Sequence, residues 1–212
     1  SKVNHKITLD EFHKKYSLLE EEKNEKENEI ENLKQTISEN ENKIDKLSLI
    51  EKLVEEGMDE DDRTCTYSLE NKCLLTELIL SGNIFSEKVL NVMLEVDRGD
   101  FAPPESNPYA NCPQYFGYNV TISAPHMHAY ALEYLSDYCV EGANILDIGS
   151  GSGYLTVALS KMTNDTGTVV GVEHISELYD FGLKNVKKNH SQLIENENII
   201  FVKGDGRKGF KE

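Results

Sequence analysis

A run of glycines between an apolar stretch and a helical pattern constrains the fold more than any other segment. Gly149, Gly151 and Gly153 follow the apolar run 145–148 and precede the helical pattern 154–162. Because glycine adopts backbone conformations that other residues avoid, this run can turn tightly and approach a ligand closely. A strand, a glycine loop and a helix in this order are typical of the ligand-binding edge of an open α/β sheet. The segment therefore predicts such an edge, although a turn with only a packing role fits the same residues.

Two patterns alternate along the chain beyond this loop. Apolar runs at 168–172 and 198–202 enclose a second helical pattern at 175–188. Strands that alternate with helices are typical of a parallel sheet that helices cover. The second half of the chain is therefore predicted to be an α/β fold with a parallel, doubly wound sheet.

Three helices and a long loop are predicted before this sheet. The helices are expected over residues 69–82, 86–96 and 125–139, the second with Ser86 as its N-cap. Four of the chain's five prolines lie in 101–117, which is therefore predicted to be an ordered irregular loop. The loop aromatics either contact a substrate or pack on the core, and core packing is favoured for Tyr109, Tyr115 and Phe116.

The spacing of the glycines indicates which ligand the loop holds. A dinucleotide-binding loop would place its third glycine at 154, where this chain has Tyr154, so NAD is disfavoured. Asp147 directly precedes the loop, and its carboxylate can attract the ammonium group of an aminoacyl ligand such as S-adenosylmethionine. Glu173 ends the next strand, about 20 residues further on, where an acidic side chain accepts hydrogen bonds from ribose hydroxyls.

Two further positions at the strand ends allow more than one interpretation. His174 either lies along an adenosine or is an ordinary polar residue after a strand. Asp205 stands in Gly204-Asp205-Gly206, where it either accepts a hydrogen bond from an adenine amino group or belongs to an ordinary turn.

A second motif lies upstream, where Val120-Thr121-Ile122-Ser123-Ala124-Pro125-His126-Met127-His128-Ala129 leads into the third predicted helix. From the residues alone, Ser123 before Ala-Pro is best interpreted as a helix cap. His126 and His128 are two positions apart and therefore face different sides of a helix, so they are not expected to bind a metal together.

These segments together resemble the protein-L-isoaspartate O-methyltransferase family. The resemblance rests on 120–129, 146–153 and 204–207, and it extends from about residue 69 to the end of the chain. It implies a Rossmann-like, class I S-adenosylmethionine-dependent methyltransferase fold, with Ser123 at the reacting centre. The cofactor-binding residues it implies are Val120, Thr121, Ile122, Ser123, His128, Asp147, Gly149, Gly151, Ser152, Gly153, Glu173, His174, Asp205 and Gly206.

The resemblance also implies an activity and its substrates. Members transfer the methyl group of S-adenosylmethionine to the α-carboxyl of L-isoaspartyl residues in damaged proteins and peptides, leaving S-adenosylhomocysteine. D-aspartyl residues are a second expected substrate. Because a carboxylate is already ionised at neutral pH, neither a general base nor a metal is expected, and Ser123 would orient the substrate carboxylate.

One feature of the family has no counterpart in this chain. The family's domain continues through further strands after the Gly-Asp-Gly-Arg turn, so the chain is expected to lack the C-terminal strands and to be a piece of a longer protein. The alternative function is a noncatalytic protein that binds S-adenosylmethionine or acts through a coiled coil.

The first 57 residues form a separate region with an acidic character. Apolar residues recur with heptad spacing through 9–54, but Lys23, Lys26, Asn40 and Glu51 interrupt the pattern. It fits either a coiled coil that mediates self-association or a solvated helix. The domains are predicted as a helix over 1–57, a linker over 58–68 and the methyltransferase-like domain over 69–212.

Charge and composition argue against several classes of partner. A net charge of −16 would repel a phosphate backbone, so nucleic acid is not expected to bind. No apolar run is long enough to span a membrane, and no signal peptide is recognised. The four cysteines lack C-x-x-C spacing and are predicted to be reduced thiols in the cytoplasm.

Overall fold

The computed structural model describes residues 9–55 and 68–210, which divide into two units at Asp45/Lys46. The first unit contains most of helix α1 (Leu9–Glu55), so the predicted acidic helix is present. Its apolar residues Ile30, Leu33 and Ile37 are each more than half exposed. The predicted linker 58–68 lies outside the described residues except for Ser68, and it stays a prediction.

The second unit begins with the last turns of α1. Leu49 and Leu53 are buried in its hydrophobic core, and the Lys46 Nζ donates a hydrogen bond of 3.1 Å to the Leu80 carbonyl. Two capped helices follow, α2 (Leu69–Leu80) and α3 (Glu87–Glu95).

Serine side chains begin both of these helices. The Ser68 and Ser86 hydroxyls accept from the amides of Asn71 and Val89 at 3.1 and 3.3 Å. The predicted N-cap at Ser86 is therefore confirmed, because its hydroxyl satisfies one of the amides that a helix start leaves free.

The end of the predicted irregular loop is a hairpin, which corrects the sequence prediction. Strands β1 (Gln114–Gly117) and β2 (Val120–Ile122) pair antiparallel. Tyr118 and Asn119 join them with φ of 53° and 58°, the left-handed conformation that tight hairpin turns require. The proline signal ends at Pro113, and β1 becomes a strand because β2 supplies its backbone partners.

Helix α4 (Pro125–Leu135) ends before its predicted end at Cys139. The amides of Tyr138 and Cys139 both donate to the Leu135 carbonyl at 2.9 Å, so a tight turn closes the helix. The buried Glu133 accepts from the amides of Phe85 and Ser86 at 2.8 and 2.9 Å. This carboxylate therefore ties α4 to the start of α3.

The rest of the second unit is the predicted parallel sheet with its helices, so this part of the fold prediction is confirmed. The strands lie in the order β3-β4-β5 and run parallel, and β4 is central and largely buried. Their carboxyl ends therefore meet at one edge. The elements are β3 (Asn144–Ile148), α5 (Tyr154–Met162), β4 (Thr168–Glu173), α6 (Ser176–Asn189), α7 (Ser191–Glu195) and β5 (Ile199–Lys203).

Candidate functional site

The glycine loop joins the end of β3 to the start of α5. The amides of Gly149 and Ser150 both donate to the Val172 carbonyl, at 2.8 and 3.2 Å, so the loop folds back over β4. Gly149 and Gly151 have φ of +85° and +50°, which strains any residue with a side chain. A Cβ on Gly149 would meet nothing within 4 Å. The loop backbone therefore faces open space where a ligand can approach it.

Gly153, unlike Gly149, lies against the packed helix α6 rather than facing open space. A Cβ at this position would lie 3.0 Å from Val186 Cγ2 and 3.3 Å from the Gly182 carbonyl of α6. The third glycine thus lets α5 and α6 approach each other, and with φ of +85° it also takes part in the turn.

Glu173 lies at the end of β4 and is only 4% exposed. Its Oε2 accepts from the Gly151 amide at 3.1 Å, and its Oε1 accepts from the amides of His174 and Ile175 at 2.8 and 2.9 Å. Three backbone donors hold the carboxylate in place, and they offset the cost of burying its charge. One side chain therefore links the glycine loop to the end of the neighbouring strand.

Asp147 lies behind the loop, in β3, and is buried. Its Oδ2 accepts from the Thr156 hydroxyl at 2.6 Å. Burial raises the pKa of Asp147, the hydrogen bond from Thr156 opposes this shift, and the Glu173 carboxylate adds to it. The structure thus brings both predicted carboxylates to one edge. Thr156 was missed, although a hydroxyl in the first turn after the loop could have indicated it.

Most predicted cofactor residues line two adjoining clefts at this edge. The first has a volume of about 210 Å³, and the predicted residues in its wall are Val120, Thr121, Ile122, Gly149, Gly151, Ser152, Glu173 and His174. The second has a volume of about 520 Å³, shares Gly149 and His174 with the first, and adds Asp205 and Gly206. The hairpin, the loop and the strand ends therefore converge on one region.

Hydrophobic side chains complete the first cleft, and sequence reasoning did not assign them to it. Phe116, Ile175 and Leu178 contribute to its wall. The Phe116 ring packs edge-to-face on Phe181, with centroids 4.5 Å apart. Core packing was favoured for the loop aromatics, but Tyr115 is 66% exposed, because alternate residues of the short β1 face opposite sides.

Tyr109 packs against the hydrophobic core, which confirms the favoured prediction, and its hydroxyl also has a polar partner. Its hydroxyl donates to Asp97 Oδ1 at 2.8 Å, and burial raises the pKa of Tyr109 to about 12. This tyrosine lines neither of the two clefts.

Asp205 and Gly206 shape the wall after β5. The Asp205 carboxylate accepts from the Arg207 amide at 3.1 Å and forms a bidentate ion pair with its guanidinium, which lowers the pKa of Asp205. A Cβ on Gly206 would overlap Ile148 Cγ2. The turn therefore approaches the end of β3 closely, as a shared cleft requires.

Ser123 follows β2 and does not cap α4, so the capping interpretation from the residues alone is wrong. The N-cap is Ala124, which makes no side-chain cap, and the Ser123 side chain is exposed. The Ser123 carbonyl instead accepts from Arg98 Nη2 at 2.8 Å. Pro125 at the helix start shifts the cap by one residue, because the ring fixes the first helical position.

The two histidines of the motif have different partners. His126 places Nδ1 at 2.8 Å from Asn111 Oδ1, which also accepts from the His126 amide. His128 is buried and places Nδ1 at 3.2 Å from Arg98 Nη1. Within 9–55 and 68–210, no group of three or more His, Cys, Asp or Glu residues is arranged to hold a metal.

His128 packs between Arg98 and the start of α5. Its ring lies 4.6 Å from the Tyr154 ring at 30°, and burial, assisted by the Arg98 charge, lowers the pKa of His128 to about 3. The imidazole is therefore neutral at physiological pH. His128 and Ser123 line neither cleft, and Asp147 and Gly153 lie behind the loop, so their predicted cofactor contacts stay predictions.

Comparison with known proteins identifies the chain's relatives. Residues 69–212 match the sequence model of the family described as protein-L-isoaspartate(D-aspartate) O-methyltransferase (PCMT). The chain belongs to this family. A Caenorhabditis elegans protein-L-isoaspartate O-methyltransferase is 53% identical over 139 residues, which are 65% of this chain and 61% of the relative. Protein-L-isoaspartate O-methyltransferase 1 of Arabidopsis thaliana is 41% identical over 68% of this chain and 63% of the relative.

A solved structure extends this relationship to three dimensions. A Plasmodium falciparum putative protein-L-isoaspartate O-methyltransferase, in complex with S-adenosyl-L-homocysteine, is 38% identical with a TM-score of 0.60. The match covers 63% of this chain and 62% of that one. The family resemblance and the methyltransferase fold are thereby confirmed. The chain spans about three fifths of the length of the C. elegans and P. falciparum relatives.

Proposed function

We propose that this protein transfers a methyl group from S-adenosylmethionine to the α-carboxyl of L-isoaspartyl residues in damaged proteins and peptides. The free side-chain carboxyl of D-aspartyl residues is a second substrate. The observation that carries the proposal is the cleft in which the glycine loop and Glu173 lie beside the 120–122 strand that leads to Ser123. Membership of the family supports it, and so does the S-adenosyl-L-homocysteine in the related P. falciparum structure.

The residues at the two clefts fit the proposed cofactor. Glu173 offers its carboxylate oxygens to the ribose hydroxyls. Hydrogen bonds from backbone amides fix the position of these oxygens. The space over Gly149 admits a ligand against the loop backbone, and Asp205 with Gly206 offers a wall for the adenine. Asp147 and Glu173 together make this edge negative, which favours a cationic ligand. S-adenosylmethionine, when bound, supplies a methyl group on a positively charged sulfur.

The protein's own contribution is positioning. The substrate carboxylate is ionised at neutral pH and needs no general base. The exposed Ser123 hydroxyl orients that carboxylate, and β2 holds Ser123 beside the cleft. The apolar wall formed by Phe116 and Ile122 excludes water from the reacting groups, which strengthens electrostatic interactions there.

The deciding experiment measures methyl transfer from labelled S-adenosylmethionine to an isoaspartyl peptide and to its normal aspartyl twin. This chain and a longer form of the protein are compared. We expect labelling of the isoaspartyl peptide alone. Labelling of neither peptide by either form, despite measurable cofactor binding, would instead favour a noncatalytic binding protein.

We further propose that α1 mediates self-association. Ile30, Leu33, Ile37 and Ile44 recur every three to seven residues, and all are more than half exposed. Isoleucine at the first and leucine at the fourth heptad position favours paired helices. Light scattering should give the mass of a dimer rather than the 24.0 kDa of one chain.

A matched pair of variants tests this surface. Ile37→Lys places a charge in the apolar row and should yield the monomer mass, whereas Asn42→Lys adds the same charge on the opposite face and should not. A wild-type chain that is monomeric at high concentration would exclude the pairing.

A cytoplasmic location is proposed from the cysteines. Cys73, Cys112 and Cys139 are free thiols, which suits a reducing compartment. Of the helices in 9–55 and 68–210, none has the length and apolar character needed to cross a bilayer. The acidic composition supports the expectation that proteins and peptides, not nucleic acids, are the partners.

A further inference from the structure

Arg98 is a buried cation without a role in the methyl transfer as proposed so far. The residue is 1% exposed, and its guanidinium donates to three neutral acceptors: the Pro108 carbonyl at 2.8 Å, the Ser123 carbonyl at 2.8 Å and the His128 Nδ1 at 3.2 Å. Within residues 68–210, no carboxylate forms an ion pair with it. A buried charge normally has a charged partner, so this arrangement leaves the positive charge of Arg98 without an ion pair in this part of the chain.

The geometry fixes the protonation of His128. Arginine has donors only, so Nδ1 of His128 must be the acceptor in their contact. A neutral ring that accepts at Nδ1 carries its proton on Nε2. Tyr154 packs on the face of the same ring, with the Arg98 guanidinium 5.9 Å from the Tyr154 ring centre. The side chain of His128 is therefore held in one tautomer and one orientation.

The same guanidinium holds the backbone beside the proposed reacting centre. Its bond to the Ser123 carbonyl fixes the residue between β2 and α4, and its bond to Pro108 anchors it to the long loop. Because Ser123 is exposed while Arg98 is buried behind it, the charge lies on the protein side of the serine. This edge therefore carries the opposite sign to the Asp147 and Glu173 edge.

We propose that Arg98 is the positioning residue for the substrate carboxylate: its buried charge, acting through Ser123, favours an ionised carboxylate at this edge, and its hydrogen bond fixes the His128 tautomer. The proposal rests on the proposed methyl transfer for its effect on catalysis. Its effect on His128 is independent of any activity.

Ring-nitrogen NMR of the labelled full chain tests the second part. The wild-type protein should show His128 as a neutral ring with its proton on Nε2. Arg98→Met removes the donor at similar length and should produce a mixture of tautomers. A wild-type ring protonated on Nδ1 would overturn the inference, whether or not the protein methylates a peptide.

Kinetics with the isoaspartyl peptide test the first part. Arg98→Met should raise KM for the peptide about tenfold, since a hydrogen-bonded charge contributes about that factor, while the affinity for S-adenosylmethionine changes less than about twofold. Arg98→Lys retains the charge but loses the planar guanidinium with its several N–H donors. Its KM should therefore lie between the KM of the wild type and that of Arg98→Met. Lys184→Met, which removes an exposed positive charge, should leave KM unchanged.

The outcomes separate the two proposals. Equal KM values for Arg98→Met and the wild type would overturn the role of the charge, as would equal increases in Arg98→Met and Arg98→Lys. If Arg98→Met does not fold, Arg98→Gln, which also removes the charge, takes its place. A KM increase larger than that of Arg98→Lys then supports the role of the charge, and an equal increase overturns it. Tautomer fixation without methylation by any form would retain the structural inference and reject the proposed function.

Discussion

The two edges of the candidate site bury charges of opposite sign and stabilise them in different ways. At the glycine loop, Glu173 accepts from the backbone amides of Gly151, His174 and Ile175. His174 and Ile175 are the next two residues in the chain, and Gly151 lies in the loop after the neighbouring strand β3. At the Ser123 edge, Arg98 is held by carbonyl and imidazole acceptors from Pro108, Ser123 and His128. The first arrangement follows from local backbone geometry, and the second depends on three separate segments packing together.

Under the proposed function, this difference gives each edge its own task. The carboxylates of Asp147 and Glu173 suit a cationic cofactor, and the guanidinium of Arg98 suits an anionic substrate. A site with a negatively charged edge and a positively charged edge can attract a cationic cofactor to the first and an anionic substrate to the second. The following predictions test whether the two edges are as separate as this comparison implies.

The largest effect is expected from removing the buried cation. Arg98→Met should lower the free energy of unfolding by about 4 kcal/mol, because one buried and two partly buried acceptors lose their donor at about 1–3 kcal/mol each. Urea unfolding measures the change. A decrease of less than about 1 kcal/mol in the free energy of unfolding would mean that water molecules replace the hydrogen bonds of the guanidinium, and that solvent reaches this edge.

The carboxylate edge is tested by Glu173→Gln. The amide has one acceptor oxygen where the carboxylate has two, so S-adenosylmethionine affinity should fall about 100-fold, the equivalent of about 3 kcal/mol. Calorimetric titration measures this, with the exposed Glu177→Gln as the control. The same loss in Glu177→Gln would show a general charge effect rather than a site effect.

His128 gives the Ser123 edge a dependence on pH. Its folded-state pKa of about 3 lies below the unfolded value near 6.5, so its contribution to stability is complete above pH 6.5 and declines as pH falls towards 3. Between these values the wild-type protein should lose about 1.4 kcal/mol per pH unit relative to His128→Gln. Parallel stability curves for the two proteins would contradict a neutral buried imidazole.

Asp147 should show the opposite dependence at the other edge. Burial raises its folded-state pKa above the unfolded value, so the ionised form costs stability at neutral pH and the cost is relieved as pH falls through the raised pKa. Thr156→Val removes the opposing hydrogen bond and should cost about 1–2 kcal/mol at pH 7. Denaturation should show a smaller loss near pH 4, and an equal loss at both pH values would reject this account.

The smallest effect is expected at the exposed arginine. Arg207 pairs with Asp205 in bidentate geometry, but its side chain is 90% exposed. Solvent screens such a pair, so Arg207→Gln should leave the free energy of unfolding unchanged within the error of the measurement. Comparing this value with that of Arg98→Met in the same urea experiment isolates the effect of burial on two arginines. Similar values would remove the basis for treating Arg98 as special.

The glycine-loop edge could be predicted because its contacts are local. A turn with positive φ needs glycine at 149 and 151, and a carboxylate at the end of the next strand lies beside that turn in any parallel pairing of β3 with β4. The residue types and their spacing along the chain are sufficient for this geometry. Thr156 was missed because many residues in the first turn of a helix have no such role.

The sequence by itself determined the alternation of strands and helices, the parallel sheet, the glycine loop with its two carboxylates, and the family resemblance. Only the tertiary structure decided that Ser123 leaves the cap of α4, that the end of the long loop pairs as β1, and that Arg98 reaches His128. The contact between Arg98 and His128 joins residues 30 positions apart, so it depends on how whole elements pack. Strand β1 forms because β2 supplies its backbone partners, and two competing signals, the Ser123 hydroxyl and Pro125, leave the cap of α4 undecided until the helix forms.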